Sequence, residues 1–210
     1  MSEPVGGEDD AAGTRRHSRG ELTAEVRAAQ QGDEQAFRVL YRTLTPELLR
    51  YAGVIVGQDA EDVVAEAWLQ VARDVMRFDG DGPAFRRFAL AVTRNRARDL
   101  VRRRRRRVPE VTVPWDELPE SRDPLTGGVP DVAETAGARF SAQEVLELIG
   151  TLPEPQAEAV VLRVLLDLDT KGAAQVLGKR PGAVAMALSR GLKRLAHLVE
   201  RPAETAAVRR

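Results

Sequence analysis

The sequence predicts an all-α protein made of two small helical domains joined by an acidic, flexible linker. Apolar residues recur at helical spacing along most of the chain, and no segment alternates apolar and polar residues as strands do. Aromatic residues make up only 4% of the 210 residues, so the cores must be built from Leu, Val and Ala, which favours helices. Between residues 108 and 140, five prolines and two adjacent glycines prevent a regular element and mark the linker.

The first predicted domain spans residues 21–107 and follows a tail, residues 1–20, that we expect to be disordered. Asp33 is a good N-cap, Pro46 fits the first turn of a further helix, and Asp59 caps the next one. A long helix then begins at about Ala84, after a break rich in glycine. The apolar stripe of the helix that follows Asp59 is expected to contain Val63, Ala67, Trp68, Leu69, Val71 and Val75.

The second predicted domain spans residues 141–200 and precedes a short tail, residues 201–210. Ser141 with Glu144 three residues later forms a capping box at its start. Further on, a short helix over 170–177, a turn at Gly178 and a helix that begins at Pro181 have the order of a helix-turn-helix. An ordinary pair of packed helices would show the same spacing, so that alternative stays open.

The long helix of the first domain ends in an arginine block. Nine arginines stand between Arg94 and Arg107 against the single Asp99, although the formal net charge of the chain is zero. Such a block can neutralise phosphates and release their counterions. A solvated tail is the alternative, but the block continues a helix in the middle of the chain, which favours a nucleic-acid surface.

The composition excludes several kinds of chemistry. The chain has no cysteine and only two histidines, His17 and His197, so we expect no disulfide, thiol catalysis, metal cluster or cofactor. We find no nucleophile–base pair or phosphate-binding loop, and we expect the protein not to be an enzyme. No apolar stretch is long enough to span a bilayer, so we expect a cytoplasmic protein without a membrane partner.

Three motifs resemble a known family. The stretch LPEPQAEAVVLR (152–163), followed by the helix-turn-helix and ending LSRGLKRL (188–195), resembles region 4 of extracytoplasmic-function (ECF) sigma factors of the sigma-70 family. The stretch DAEDVVAEAWLQVAR (59–73) resembles their region 2.2, and residues 85–107 resemble the helix of regions 2.3 and 2.4. In this order, the motifs cover nearly everything from Glu21 to Val199.

The resemblance implies a protein that binds core RNA polymerase, recognises the −10 and −35 promoter elements and promotes promoter melting. Its implied partners are the clamp of the β′ subunit, the flap of the β subunit and promoter DNA, and anti-sigma factors are common in the family. The implied polymerase-binding residues are Asp59, Glu61, Asp62, Glu66 and Gln70. For the −10 region, they are Arg94, Asn95, Arg98, Arg102 and Arg103. For the −35 region, they are Lys179, Arg180, Ser189, Arg190, Lys193 and Arg194.

The recognition helix departs from the family pattern. Its usual polar positions are occupied by Ala183, Ala185, Met186 and Ala187, and base-edge hydrogen bonds normally come from Arg, Lys, Asn or Gln. We therefore expect −35 binding to depend mainly on phosphate contacts, with relaxed sequence specificity and strong salt dependence.

Two of these acidic segments, and the function itself, each have a second interpretation. The acidic first turn after Asp59 would also complement a helix dipole without any partner. The acidic linker suits the positively charged channels of polymerase, as in the family, but a generic flexible linker has the same composition. The alternative function is a stand-alone helix-turn-helix regulator whose N-terminal domain senses a ligand or dimerises.

Overall fold

The computed structural model describes residues 22–107 and 141–200, and every regular element within them is helical, which confirms the all-α prediction. The predicted tails and the predicted linker lie outside the described residues. The first group of helices is α1 (Thr23–Gln30), α2 (Glu34–Val56), α3 (Ala60–Asp74) and α4 (Gly82–Arg107). The second group is α5 (Ala142–Gly150), α6 (Glu154–Val160), α7 (Thr170–Leu177) and α8 (Pro181–Glu200). Short 3-10 turns follow α2 and α3, and a π turn (Val161–Leu165) extends α6.

Two of the predicted helix starts are confirmed in atomic detail. The Asp33 carboxylate accepts hydrogen bonds from the first-turn amides of α2. Ser141 and Glu144 form the reciprocal capping box at the start of α5. The hydrogen bonds from Ser141 lower the pKa of the Glu144 carboxyl. These caps satisfy amides that a helix leaves without an internal partner.

Two predictions at the ends of helices are wrong. Pro46 does not begin a helix but lies inside α2. The ring of Pro46 is exposed, whereas Leu44, two residues earlier, and Leu48, two residues later, are buried on one stripe. The packing of this stripe keeps the helix continuous through the proline. Asp59 precedes α3 but makes no side-chain cap, because its carboxylate pairs with Arg104 of α4 instead.

The core of the first domain lies between α2, α3 and α4. Its fully buried large side chains include Leu40, Tyr51 and Phe85, and the predicted stripe of α3 is buried except for one member. That member is Leu69, which is 60% exposed, so its assignment to the core is wrong. Phe78 packs edge-on against Phe85, with ring centroids 5.3 Å apart.

The second domain has helix-turn-helix geometry. Gly178, with φ of 61°, ends α7 in the left-handed conformation that glycine tolerates, and α8 begins three residues later. Val184 of α8 is buried. A Cβ atom at Gly191 would lie 2.8 Å from Val160 Cγ2, so α8 approaches α6 at a distance that only glycine permits.

The two domains pack against each other. Helix α4 contacts α7, and α2 contacts α5, α6 and the π turn. At Gly172 of α7, a Cβ atom would come within 3.3 Å of the Arg87 side chain of α4. No local pattern in the sequence predicts this interface, because it joins residues far apart along the chain.

Candidate nucleic-acid and polymerase interfaces

Four of the five predicted −10 residues lie on the exposed side of α4. Asn95, Arg98, Arg102 and Arg103 face solvent. Arg102 also pairs with Asp99 on the previous turn, at 2.8 Å between Nη2 and Oδ1. Exposed ion pairs of this kind are weak and leave the guanidinium free to exchange partners. This side of α4 can follow a nucleic-acid backbone.

The fifth residue, Arg94, lies in a different environment. It is 6% exposed, and its Nε donates to Oε1 of Glu158 in α6 at 2.6 Å. The Tyr51 hydroxyl of α2 donates to the same oxygen at 2.9 Å. In this arrangement of the domains, the Arg94 guanidinium faces the second domain and is not accessible to DNA.

The burial of this cluster changes the pKa of its members. Burial raises the pKa of the Tyr51 hydroxyl well above 10, and the negative charge of Glu158 raises it further. Burial disfavours the charged form of Arg94, but its hydrogen bond and attraction to Glu158 outweigh that cost and raise the pKa of the guanidinium. The arginine of this cluster is therefore charged and its phenol is neutral.

Two further arginines of α4 reach across the domain boundary. Arg98 Nε lies 3.0 Å from Oε1 of Glu154, at the start of α6. Arg86 donates to Glu47 at 2.6 Å and to the carbonyl oxygen of Leu166. Helix α4 thus binds carboxylates and a carbonyl of the second domain through the same type of side chain that binds phosphates.

The predicted −35 residues border an apolar surface on α8. All of them are exposed except Ser189, which is half-buried. Between them, Ala183, Ala185 and Met186 also face solvent, and Met186 is 57% exposed. In the first two turns of this helix, residues 181–187, no side chain is an amide or guanidinium donor. The cations precede this stretch at Lys179 and Arg180 and follow it from Arg190 onward.

The predicted polymerase-binding residues divide into two sets. Glu61, Asp62 and Glu66 are exposed on α3. Asp59 and Gln70 instead bind α4: Asp59 pairs with Arg104, and Gln70 Oε1 accepts from Arg96 Nη2 at 2.6 Å. Only the first set is free to meet a basic partner while α3 and α4 stay packed.

An apolar ridge, not predicted from the sequence, lies on the outer face of α3 and of the turn that follows it. Leu69 is 60% and Met76 is 62% exposed, and the small residues Ala65 and Ala72 lie between and beside them. The four positions follow the spacing i, i+4, i+7 and i+11, which would have revealed the ridge as a second stripe beside the buried one. Exposed apolar side chains next to acidic ones are typical of a protein-binding surface.

Two exposed basic surfaces, one on a long helix and one on a helix-turn-helix, are typical of DNA-binding proteins. Residues 40–107 match the family described as Sigma-70 region 2, and residues 142–195 match Sigma-70, region 4. The ECF RNA polymerase sigma factor ShbA of Streptomyces griseus is 35% identical over 186 residues, which cover 85% of this chain and 95% of ShbA. SigD of Mycobacterium tuberculosis, also an ECF RNA polymerase sigma factor, is 31% identical over 180 residues, which cover 83% of this chain and 82% of SigD.

Solved structures share the fold. CnrH, in complex with the cytosolic domain of CnrY, aligns with a TM-score of 0.60 and 22% identity over 86% of this chain and 98% of CnrH. The sigma factor RpoE of Bartonella quintana, in complex with the anti-sigma factor NepR, aligns with a TM-score of 0.59 and 18% identity over 78% of this chain and 96% of RpoE. The chain belongs to the ECF sigma factors of the sigma-70 family and is an RNA polymerase sigma factor.

The described helices also bear on membrane association. Within residues 22–107 and 141–200, no helix combines the length and the apolar character needed to cross a bilayer.

Proposed function

We propose that this sigma factor divides its work among three surfaces. The outer face of α3 binds the clamp of core RNA polymerase, the exposed side of α4 binds DNA at the −10 element, and α8 binds DNA at the −35 element. The observation that carries the proposal is the separation of these surfaces: acidic and apolar side chains lie on α3, and exposed cations lie on α4 and α8.

At the −10 element, the proposed contacts come from Asn95, Arg98, Arg102 and Arg103. Their charges suit phosphates beside the opening duplex, and Asn95 adds a side chain that both donates and accepts. Arg94 joins them only after Glu158 has moved away. The loop before α4 has no exposed aromatic side chain to stack on a base, because Phe78 and Phe85 pack against each other.

At the −35 element, the proposed contacts are mainly to phosphates. The cations of Lys179, Arg180, Arg190, Lys193 and Arg194 are exposed around the apolar centre of α8. Alanine and methionine there can contact thymine methyl groups but cannot form the bidentate hydrogen bonds that discriminate between bases by about 1–3 kcal/mol each. The expected result is a DNA anchor with relaxed specificity.

At the polymerase, the apolar ridge of α3 supplies contact area and the exposed carboxylates supply charge. Leu69 and Met76 form the centre of this surface, and Glu61, Asp62 and Glu66 lie beside it. An apolar centre with a charged rim is the usual anatomy of a protein interface. The flap of the β subunit is the proposed partner of the second domain.

We further propose that the protein acts by binding alone, in the cytoplasm. The structural relatives CnrH and RpoE are in complex with CnrY and with the anti-sigma factor NepR, which supports an anti-sigma partner here as well.

The test is pull-down with core RNA polymerase, followed by transcription in vitro from a promoter with defined −10 and −35 elements. The expected result is stable binding to core polymerase and transcription that depends on the added chain. A chain that binds DNA but neither binds core polymerase nor supports transcription would instead be the stand-alone helix-turn-helix regulator.

A further inference from the structure

A cluster of three buried polar side chains joins the two domains at their centre. Tyr51 of α2 and Arg94 of α4 come from the first domain, and Glu158 of α6 comes from the second. Both hydrogen bonds end on Oε1 of Glu158, at 2.9 and 2.6 Å, and all three residues are buried. Burying two charged side chains costs free energy unless their hydrogen bonds have good geometry. Because these hydrogen bonds join the two domains, they favour one relative placement of the domains.

The packed arrangement is incompatible with simultaneous reading of two promoter elements. Positions −10 and −35 differ by about 25 base pairs, which corresponds to about 85 Å along B-form DNA. Helix α4, which bears the −10 residues, lies in contact with α7 of the helix-turn-helix. The two domains must therefore separate before both elements are bound. The 33 residues from 108 to 140 permit this, because a chain of that length reaches up to ~110 Å.

The contacts that hold the domains together use promoter-binding groups. Arg94 and Arg98 belong to the −10 surface, and in this arrangement their guanidinium groups bind Glu158 and Glu154 of α6. A carboxylate presents two anionic oxygens to a guanidinium much as a phosphate does. Two carboxylates of α6 thus occupy the arginines that DNA would otherwise bind.

We propose that Tyr51, Arg94 and Glu158 form an interdomain latch that holds the sigma factor closed, and that carboxylates of α6 and promoter phosphates compete for Arg94 and Arg98. The free chain is closed, and core polymerase and promoter DNA select the open form. This inference rests on the proposed roles of the two domains in promoter binding. Its test on the free chain is independent of them.

The first experiment measures the distance between the domains in the free protein. The chain has no cysteine, so Arg42→Cys and Gln175→Cys, both at exposed positions, place one spin label on α2 and one on α7 without background labelling. Double electron–electron resonance should give one narrow, short distance for the otherwise unchanged chain. Glu158→Gln should give a longer and broader distribution. The matched control, Glu147→Gln, removes the same charge from an exposed position on α5 and should leave the short distance in place.

A milder variant guards against loss of folding. Tyr51→Phe removes one hydrogen bond to Glu158 but keeps the ring and the ion pair, so it should shift the distribution in the same direction by a smaller amount. Far-ultraviolet circular dichroism should show unchanged helix content in both variants. If both remain helical and neither changes the distance distribution, the latch is wrong.

The second experiment separates the latch from the promoter contact. Glu158→Gln frees Arg94, so binding of a single-stranded −10 oligonucleotide to the free chain should tighten, by roughly tenfold if about a tenth of the unchanged chain is open. Arg94→Gln also opens the latch but removes a cation, so it should open the domains without that gain. Opening without a gain from Glu158→Gln would refute the competition. Opening with the gain, but without transcription by the holoenzyme, would contradict the proposed function and leave the latch intact.

Discussion

At the scale of the residue, the chemistry of the interface depends on one carboxylate. Glu158 accepts hydrogen bonds from a phenol and a guanidinium that come from two helices of the other domain. Breaking a buried ion pair by removing one partner costs far more than breaking an exposed one, because the remaining charge stays desolvated. The neighbouring pair of Arg98 and Glu154 is partly exposed and contributes much less.

Replacement of Arg94 tests this difference in energy. Arg94→Met should open the domains, because Glu158 would otherwise stay buried without its cation. The free energy of unfolding should fall by the free energy of closure, about 1.4 kcal/mol if about a tenth of the unchanged chain is open. The matched substitution Arg102→Met, in an exposed pair with Asp99, should cost no more than about 1 kcal/mol. Urea unfolding followed by circular dichroism measures both. Equal, small losses would show that the buried pair does not stabilise the fold.

The single variant Glu158→Leu and the double variant Arg94→Met with Glu158→Leu complete a double-mutant cycle with Arg94→Met. Since both charges are then absent, most of the loss from Arg94→Met should be recovered. Simple addition of two losses would show that the two side chains act independently.

Tyr51 gives the interface a dependence on high pH. Burial and then the negative charge of Glu158 raise the pKa of its hydroxyl, while Arg94 acts in the opposite direction and Glu154 adds a smaller upward effect. A pKa raised on folding contributes stability that is fully present below the ordinary pKa of about 10 and is lost as the pH rises through the folded value. The ionisation of Tyr51 should therefore leave the closed arrangement unchanged below pH ~10 and weaken it above that pH.

Phenolate absorbance measures this titration directly, because the chain contains only two tyrosines. The native protein should show an ionisation well above the ordinary range that is absent from Tyr51→Phe. Ionisation of both tyrosines of the native protein near the ordinary pKa of about 10 would contradict the buried position of the Tyr51 hydroxyl.

At the scale of the element, the exposed residues of α8 lead us to expect that affinity for −35 DNA depends strongly on salt and weakly on base sequence. Lys193→Ala and Arg194→Ala should each reduce the slope of log affinity against log salt concentration by about 1, uniformly across −35 sequences. Single base changes in the −35 element should change the affinity little, because residues 181–187 of α8 have no side-chain hydrogen-bond donor. Binding titrations over a range of salt concentrations measure both. A large loss from one −35 base change, with the salt slopes unchanged, would favour direct base reading instead.

The apolar ridge on α3 can be tested by its effect on binding to core RNA polymerase. Leu69→Glu puts a charge at the centre of the apolar ridge. It should therefore weaken binding to core RNA polymerase at least tenfold, which corresponds to about 1.4 kcal/mol of binding free energy. The melting temperature should hardly change, because Leu69 is exposed. The matched control is Val39→Glu, the same kind of change at an exposed position on α2. Equal binding by the two variants would exclude the ridge as the clamp surface.

Helical periodicity predicts the elements of this fold well and the partners of its surfaces less well. The caps at Asp33 and Ser141 follow from local hydrogen bonds, so the sequence alone suffices to predict them. The positions of Pro46 and Leu69 are set by which side of each helix packs against the core. For this reason Pro46 lies inside a helix that it is predicted to begin, and Leu69 is exposed although its spacing predicts burial. Arg94 is the clearest case, because its partner Glu158 is 64 residues away and no local pattern connects the two.

At the scale of the whole molecule, the two domains oppose each other in function. Each domain presents a surface that we propose to bind DNA, and the contact between the domains covers part of one of these surfaces. A ligand shifts such an equilibrium only through its differential affinity for the two states, and core polymerase with promoter DNA binds the open state.

The distance between labels at Arg42→Cys and Gln175→Cys, measured on the full chain alone and then with core RNA polymerase and promoter DNA, tests the closed-to-open transition most directly. We predict a single short distance for the free chain and a distance several tens of ångströms longer in the promoter complex, with transcription retained. A distance that is already long in the free chain, or that stays short in the transcribing complex, would contradict it.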